Sequence, residues 1–205
     1  MSLFPMFVKL QGRPITIIGG GKIAESKIPG LLEAAARIRL IAPTVSPKIA
    51  EWIRSGQIEW WSKTFAPGDL QDTHLVIAAT SSSSVNHEVF LEAEAQKIWC
   101  NSVDDIENCH FYYGSIVQRG DLQIAISTNG KSPALAQRIR NELEIQFGPE
   151  YALWVEWLGA ARETLRATGE NHELTKELLH RLASRPMFER FIEQSGNKSS
   201  GKEVD

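Results

Sequence analysis

The chain has 205 residues, 42% of them hydrophobic, and a formal net charge of −3. This length predicts one domain or one and a half domains, and the apolar content is sufficient for a hydrophobic core. The charge excludes bulk attraction to nucleic acid or to a membrane surface, and the apolar runs are too short to span a bilayer. Since no signal-peptide pattern opens the sequence, we expect a cytoplasmic protein without nucleic-acid or membrane partners.

The first half of the chain alternates between strand-like and helix-like segments. Residues 4–10 alternate in hydrophobicity and predict an edge strand or lead-in. The predicted strands are residues 15–18, 37–42, 58–62, 74–80 and 98–103. Three helices are predicted: one begins near residue 22, one covers 47–54 with Ser46 as its N-cap, and one covers 85–96. This order is typical of an α/β fold with a Rossmann-like, doubly wound parallel sheet.

The pattern changes after about residue 104. Residues 111–118 and 122–127 predict an antiparallel hairpin that need not belong to the first sheet, followed by a helix over 133–147. Helices are then predicted over 151–167, over 170–183 and briefly after Pro186, with residues 195–205 frayed. We therefore predict three parts, at residues 1–113, 114–148 and 149–205.

The sequence Gly19-Gly20-Gly21 separates the first strand from the first helix and fits a dinucleotide-binding fingerprint, Gly19-x-Gly21-x-x-Ala24. The first glycine allows a tight turn, the second lets the backbone approach a pyrophosphate, and the small Ala24 lets helix and strand pack closely. The helix N-terminus then faces the anion. A glycine triplet can also be a plain turn, but its placement here favours nucleotide binding.

The carboxyl ends of parallel strands gather ligand-binding residues at one edge of a sheet. Here those ends carry residues 19–21, 42–44, 80–81 and 101–105. A ribose-binding acid is missing from Ala42-Pro43-Thr44, so the Thr44 hydroxyl or backbone groups would substitute. No arginine stands there for a 2′-phosphate, which favours NAD over NADP.

Two polar segments each allow two interpretations. Asn101-Ser102-Val103-Asp104-Asp105 is either a turn after a strand or carries a general base at the mouth of the crevice. The loop at residues 127–133 is either a capped helix start with a solvated basic face or a site for a substrate with several carboxylates.

Metal and disulfide chemistry are both disfavoured. Cys100 and Cys109 lack a framework of paired spacings and are expected to be free thiols. Cys109 and His110 are adjacent and the other histidines are scattered, so no metal site is predicted. Trp154 and Trp157 lie at helical spacing and are predicted to be core residues.

Four stretches together resemble the precorrin-2 dehydrogenase family, the N-terminal module of siroheme synthases. They are FPMFVKLQGRPITIIGGGKIAESK, VIAATSSSSVN from Val76, CNSVDD from Cys100 and AISTNGKSPALAQRIR from Ala125. The glycine loop followed later by S-x-x-G-x-S-P is the most specific part of this match. The resemblance as a whole covers roughly residues 3–147, and the helices after residue 149 fit the family only loosely.

The resemblance implies an enzyme that oxidises precorrin-2 to sirohydrochlorin with NAD, and a homodimer that exchanges its central hairpin and helix. Asp104 matches the family's main acid/base residue. The cofactor contacts carried over are Gly20, Gly21, Lys22, Ile23, Pro43, Thr44 and Thr80, to which the fingerprint adds Gly19. Contacts to the carboxylates of the tetrapyrrole substrate are predicted at Asn101, Arg119, Ser127, Thr128, Lys131, Ser132 and Arg138, with Arg140 as a further basic candidate.

Three functions compete at this point. The first is an NAD-dependent precorrin-2 dehydrogenase, and the second is a bifunctional enzyme that also inserts ferrous iron as sirohydrochlorin ferrochelatase. The third, non-enzymatic function is an NAD-sensing regulatory module. Only a sensor would tolerate loss of the Asp104 carboxylate.

Overall fold

The structure, a computed structural model, describes residues 3–103, 105–169 and 172–199. The chain forms two compact units, of which one spans Phe4–Tyr113 and the other contains the chain from Gly114 onward. Among the described residues, no helix is both long and apolar enough to cross a membrane.

The first unit alternates strands and helices because short β-branched runs alternate with amphipathic segments. Its strands are β1 (Pro14–Ile18), β2 (Arg37–Ile41), β3 (Ile58–Trp61), β4 (Leu75–Ala78) and β5 (Trp99–Ser102). Its helices are α1 (Lys22–Glu33), α2 (Pro47–Arg54) and α3 (Ser83–Gln96). Ser46 caps α2 as predicted, since its hydroxyl accepts a hydrogen bond from the Ile49 amide at 3.3 Å.

The five strands form a parallel sheet in the order β3-β2-β1-β4-β5. Ile17 and Ile77, paired in register on β1 and β4, are both fully buried. One apolar core lies between the sheet and helices α1 and α2, and a second lies between the opposite face and α3. The predicted α/β fold with a doubly wound parallel sheet is thereby confirmed.

The second unit begins with an antiparallel hairpin of β6 (Ser115–Arg119) and β7 (Leu122–Ile126), a sheet of its own. Four helices follow: α4 (Pro133–Gln146), α5 (Glu150–Ala167), α6 (His172–Leu182) and α7 (Arg185–Ser199). Helix α4 starts where the sequence predicts, with Pro133 as its first residue and Ser132 as N-cap.

An aromatic cluster joins α5 to α7. Trp154 is 4% exposed, stacks on Trp157 with ring centroids 5.0 Å apart, and contacts Phe188 and Phe191. Trp154 is a core residue as predicted. Trp157 remains 37% exposed, because it covers the edge of the cluster instead of filling it.

Three predicted elements differ in extent. Residues 4–10 form no strand, so this segment is a lead-in, and β6 starts at Ser115 because residues 105–111 fold back onto β5. Fraying is predicted from residue 195, but helix α7 runs to Ser199. Phe188 and Phe191 anchor this helix to α5. Residues 200–205 and the predicted start of α6 at residue 170 lie outside the described residues.

Candidate nucleotide and substrate site

The glycine loop lies between β1 and α1, where backbone packs directly against backbone. A Cβ added at Gly19 would lie 2.4 Å from the Ala79 carbonyl oxygen, and one at Gly20 would lie 2.1 Å from that of Thr44. Gly19 also has a φ of +115°, which side chains rarely adopt. These two glycines therefore allow β1 to contact the ends of β4 and β2.

Gly21 differs from its neighbours because its open side faces away from the protein. A Cβ added there would meet no heavy atom of the described chain within 4 Å. Gly21 is the N-cap of α1, and within the described residues no side chain caps this helix end. The free amides and the helix dipole suit an anion, so the loop fits the pyrophosphate of a dinucleotide.

The segment after β2 is tied to the first turn of α1. The Ser46 hydroxyl donates to the Glu25 carboxylate at 2.5 Å, and the Ser46 amide donates to the Gly20 carbonyl at 2.9 Å. Pro43 and Thr44 are consequently held beside the glycine loop with exposed side chains. Lys22 and Ile23, the other predicted cofactor contacts, are exposed in the first turn of α1.

Thr80 is held in place by a buried asparagine that the sequence analysis missed. The Thr80 amide and hydroxyl both donate to Asn86 Oδ1, at 3.1 and 2.7 Å, and Asn86 Nδ2 donates back to the Thr80 carbonyl at 3.2 Å. Asn86 is only 6% exposed. A polar residue on the buried face of α3 was the sequence signal that could have revealed it.

The end of β5 is ordered by a second buried amide and a thiol. Asn101 is 7% exposed, and its Nδ2 donates to the Phe111 carbonyl at 2.9 Å. The Cys109 thiol accepts from the Ser102 amide at 3.2 Å and donates to the Ser102 and Asp105 carbonyls, each at 3.1 Å. Asn101, predicted to bind substrate, thus also fixes the loop after β5. Asp104 itself lies outside the described residues.

Both cysteines are free thiols. Burial raises the pKa of the Cys100 thiol to about 12, with a smaller contribution from Cys109. Burial also raises the pKa of Cys109, which the Ser102 backbone partly offsets. Both thiols are therefore protonated at neutral pH, and in the described part of the chain no three His, Cys, Asp or Glu residues are grouped to hold a metal ion.

The predicted substrate loop of the second unit is locally ordered. Ser127 Oγ accepts from the Asn129 amide at 3.1 Å, Thr128 Oγ1 from the Ser132 amide at 3.0 Å, and Ser132 Oγ from the Leu135 amide at 3.2 Å. An accepting hydroxyl keeps its own proton for donation, so all three can donate to carboxylates.

The basic residues of this unit fall into two groups. Lys131 and Arg138 are exposed, and Arg138 Nε lies 3.4 Å from its neighbour Glu142 one turn along α4. Arg119 instead donates to the Phe147, Glu144 and Gln118 carbonyls at 2.9, 3.1 and 2.8 Å. Arg119 therefore satisfies carbonyls at the end of α4, a structural role that the sequence analysis missed, and its substrate role stays a prediction.

Two family models and several curated proteins match this chain. A family model described as putative NAD(P)-binding matches residues 6–115, and one described as sirohaem biosynthesis protein central matches residues 119–146. Siroheme synthase 1 of Serratia proteamaculans (strain 568) is 38% identical over 83% of this chain and 37% of that protein. Siroheme synthase 3 of Aeromonas hydrophila is 36% identical over 87% of this chain and 39% of that protein. The chain thus spans about two fifths of the length of these curated relatives.

A solved structure titled "SirC, precorrin-2 dehydrogenase" aligns with a TM-score of 0.78 and 28% identity. The alignment covers 94% of this chain and 98% of that one. The likeness therefore includes both compact units.

Replacing Gly21 with aspartate is expected to weaken nucleotide binding without unfolding the protein. The new side chain has room, but it places a carboxylate where the pyrophosphate approaches. Calorimetric titration with NAD should show at least about a tenfold loss of affinity, the equivalent of about 1.4 kcal/mol.

Gly30→Asp is the matched control, since a Cβ at Gly30 also meets open space and lies on the same helix. It should bind NAD as the unsubstituted chain does. Equal affinity in the Gly21 variant would show that the glycine loop is only a turn.

The free energy of unfolding should fall as pH rises above about 8.5, the ordinary thiol pKa. The raised pKa of Cys100, about 12, keeps the folded thiol protonated while the unfolded thiol ionises, so its stabilisation is complete below that pH and is lost above it. Urea unfolding between pH 8 and 9.5 measures the slope. Cys100→Ala should make this slope shallower. Well above the thiol pKa, the difference in slope between the two proteins approaches that of one proton, ~1.4 kcal/mol per pH unit. An unchanged slope would contradict the burial argument.

Proposed function

This chain belongs to the family of putative NAD(P)-binding proteins, and we propose that it is an NAD-dependent dehydrogenase that oxidises precorrin-2 to sirohydrochlorin in siroheme biosynthesis. One observation carries the proposal: a glycine loop open to a pyrophosphate at Gly21 is followed, in the same chain, by the region typical of sirohaem biosynthesis proteins. The likeness of both units to SirC supports it.

We assign dinucleotide binding to residues 1–113, dimerisation and substrate binding to 114–148, and a helical region to 149–205. In this proposal residues 19–23, Pro43, Thr44 and Thr80 contact the cofactor. The substrate contacts are the residues predicted above in the β5 end, the hairpin and the start of α4. A homodimer is supported by apolar side chains exposed in the middle part, at Ile116, Leu135 and Ile145.

The reaction removes a hydride from one carbon of precorrin-2 and a proton from elsewhere in the macrocycle. Bound NAD supplies the hydride acceptor. The amides beside Gly21 bind its pyrophosphate, and Asn86 orients the Thr80 hydroxyl next to the crevice. Asp104 accepts the proton as general base, while Cys109 holds the backbone of the nearby residues Ser102 and Asp105.

The tetrapyrrole carries eight carboxylates, and the second unit offers them suitable partners. Lys131 and Arg138 supply exposed positive charge, and the hydroxyls of Ser127, Thr128 and Ser132 supply donors beside the N-terminus of α4. Charge-assisted hydrogen bonds of this kind are stronger than neutral ones. A cytoplasmic location belongs to the same proposal and agrees with two free thiols.

Insertion of ferrous iron into sirohydrochlorin is a second candidate activity. It is favoured by the names of the relatives, which are siroheme synthases. Iron would be a substrate, and Asp104 could accept the pyrrole protons that the metal replaces. Adding ferrous iron to the purified chain and sirohydrochlorin, without a helper protein, distinguishes the two activities.

Asp104→Asn is expected to lower kcat for precorrin-2 oxidation by about 10²- to 10⁴-fold, the usual contribution of a general base. The affinity for NAD should change little, since the carboxylate is not proposed to contact the cofactor. Anaerobic turnover and NAD titration measure the two quantities.

Asp105→Asn provides the matched control. The Asp105 carboxylate accepts from the Asn108 amide and side chain, contacts that an asparagine oxygen can keep in part, so turnover should fall far less. Equal turnover in Asp104→Asn and the unsubstituted chain would remove Asp104 from the mechanism and favour an NAD sensor.

A further inference from the structure

A cleft lies between α5 and α6, built from residues of these two helices and the turn after α6. Its volume is about 720 Å³, within the range of small-molecule sites. Apolar side chains form much of its wall, among them Val155, Leu158, Leu165 and Leu179. The cleft therefore offers an apolar molecule a surface to bury.

The polar part of the lining is basic. Arg162 and Arg166 project from α5, and His172, Lys176 and His180 project from α6. Their spacings of four residues place each set on one face of its helix. Among the described residues that line the cleft there is no aspartate or glutamate.

Such an arrangement is unlike the ion pairs seen elsewhere in the same unit. On α4 and α7, arginines face glutamates one turn away, as in Arg138–Glu142 and Arg185–Glu189. Arg166 stands four residues beyond Arg162 on α5, and Lys176 faces the same cleft from α6, so three cationic side chains line its wall. At this spacing the like charges of Arg162 and Arg166 repel each other. Within residues 150–169 and 172–183, the one ion pair that involves a basic lining residue joins His172 Nδ1 to Glu173 at 3.9 Å, and Glu173 does not line the cleft.

We propose that this cleft is a second ligand site that binds an apolar molecule carrying several carboxylates. The inference rests on the proposed function in identifying that molecule as the tetrapyrrole, held by residues separate from the glycine loop and from the loop at 127–132. Its apolar ring contacts the leucines and Val155, and its carboxylates pair with Arg162, Arg166 and Lys176. A site of this kind retains the product after oxidation.

Uroporphyrin, a stable tetrapyrrole with eight carboxylates, is the probe, and its binding to the full chain is followed by fluorescence. The double variant Arg166→Gln/Lys176→Gln should weaken the binding by about tenfold for each cation removed. Arg181→Gln is the matched control, because Arg181 lies on α6 outside this cleft, and it should bind normally.

Gly159→Phe tests the same cleft without changing charge. Gly159 lines the cleft, and a Cβ added there meets no heavy atom within 4 Å in the described chain. Replacing a helical glycine also improves helix propensity, so the variant should fold and yet lose binding of the probe to the cleft. A cationic porphyrin of the same size should not bind the cleft in any variant.

Uroporphyrin binding that is unchanged in both cleft variants would overturn the proposal. Precorrin-2 oxidation, measured in the same preparations, separates this failure from failure of the proposed function. Oxidation without cleft-dependent binding would reject the cleft site alone. Cleft-dependent binding without oxidation would retain the site for polycarboxylates and reject the dehydrogenase.

Discussion

The first unit depends on the contact of backbone with backbone at Gly19 and Gly20. A single methyl group at either position would lie within 2.4 Å of a carbonyl oxygen, from Ala79 or from Thr44. The absence of side chains here lets β1 pass directly into α1 between the ends of β4 and β2. The N-terminus of α1 is then left open at Gly21, where an anion can approach.

The remaining contacts of the crevice position single groups around this loop. Ser46 and Glu25 tie the segment after β2 to α1, Asn86 orients Thr80, and Cys109 holds the loop after β5. Each of these groups hydrogen-bonds backbone or side chains that border the predicted site. Their common effect is to preorganise the loop ends, so that little ordering is required when a ligand binds.

The sequence predicted the elements well where one periodicity dominates. Strands β1 to β5 are short β-branched or apolar runs, and the helix caps at Ser46 and Ser132 follow from local chemistry, so both were found. The structural roles of Arg119, Asn86 and Asn101 were not predicted. Their hydrogen-bond partners lie 28, 6 and 10 residues away, and the role of Asn86 also depends on which face of α3 is buried. Helix α7 was underestimated for the same reason: its stability comes from rings on α5. The identity of the substrate came from family resemblance, since glycine spacing alone is shared by many dinucleotide-binding proteins.

The most direct test of the account is an anaerobic assay that mixes the purified chain with enzymatically generated precorrin-2 and NAD. Absorbance follows NADH and sirohydrochlorin in the same cuvette. The account predicts that both appear together in equal amounts and that neither appears without NAD. Measurable NAD binding with no formation of either product would contradict it and identify the chain as a nucleotide sensor.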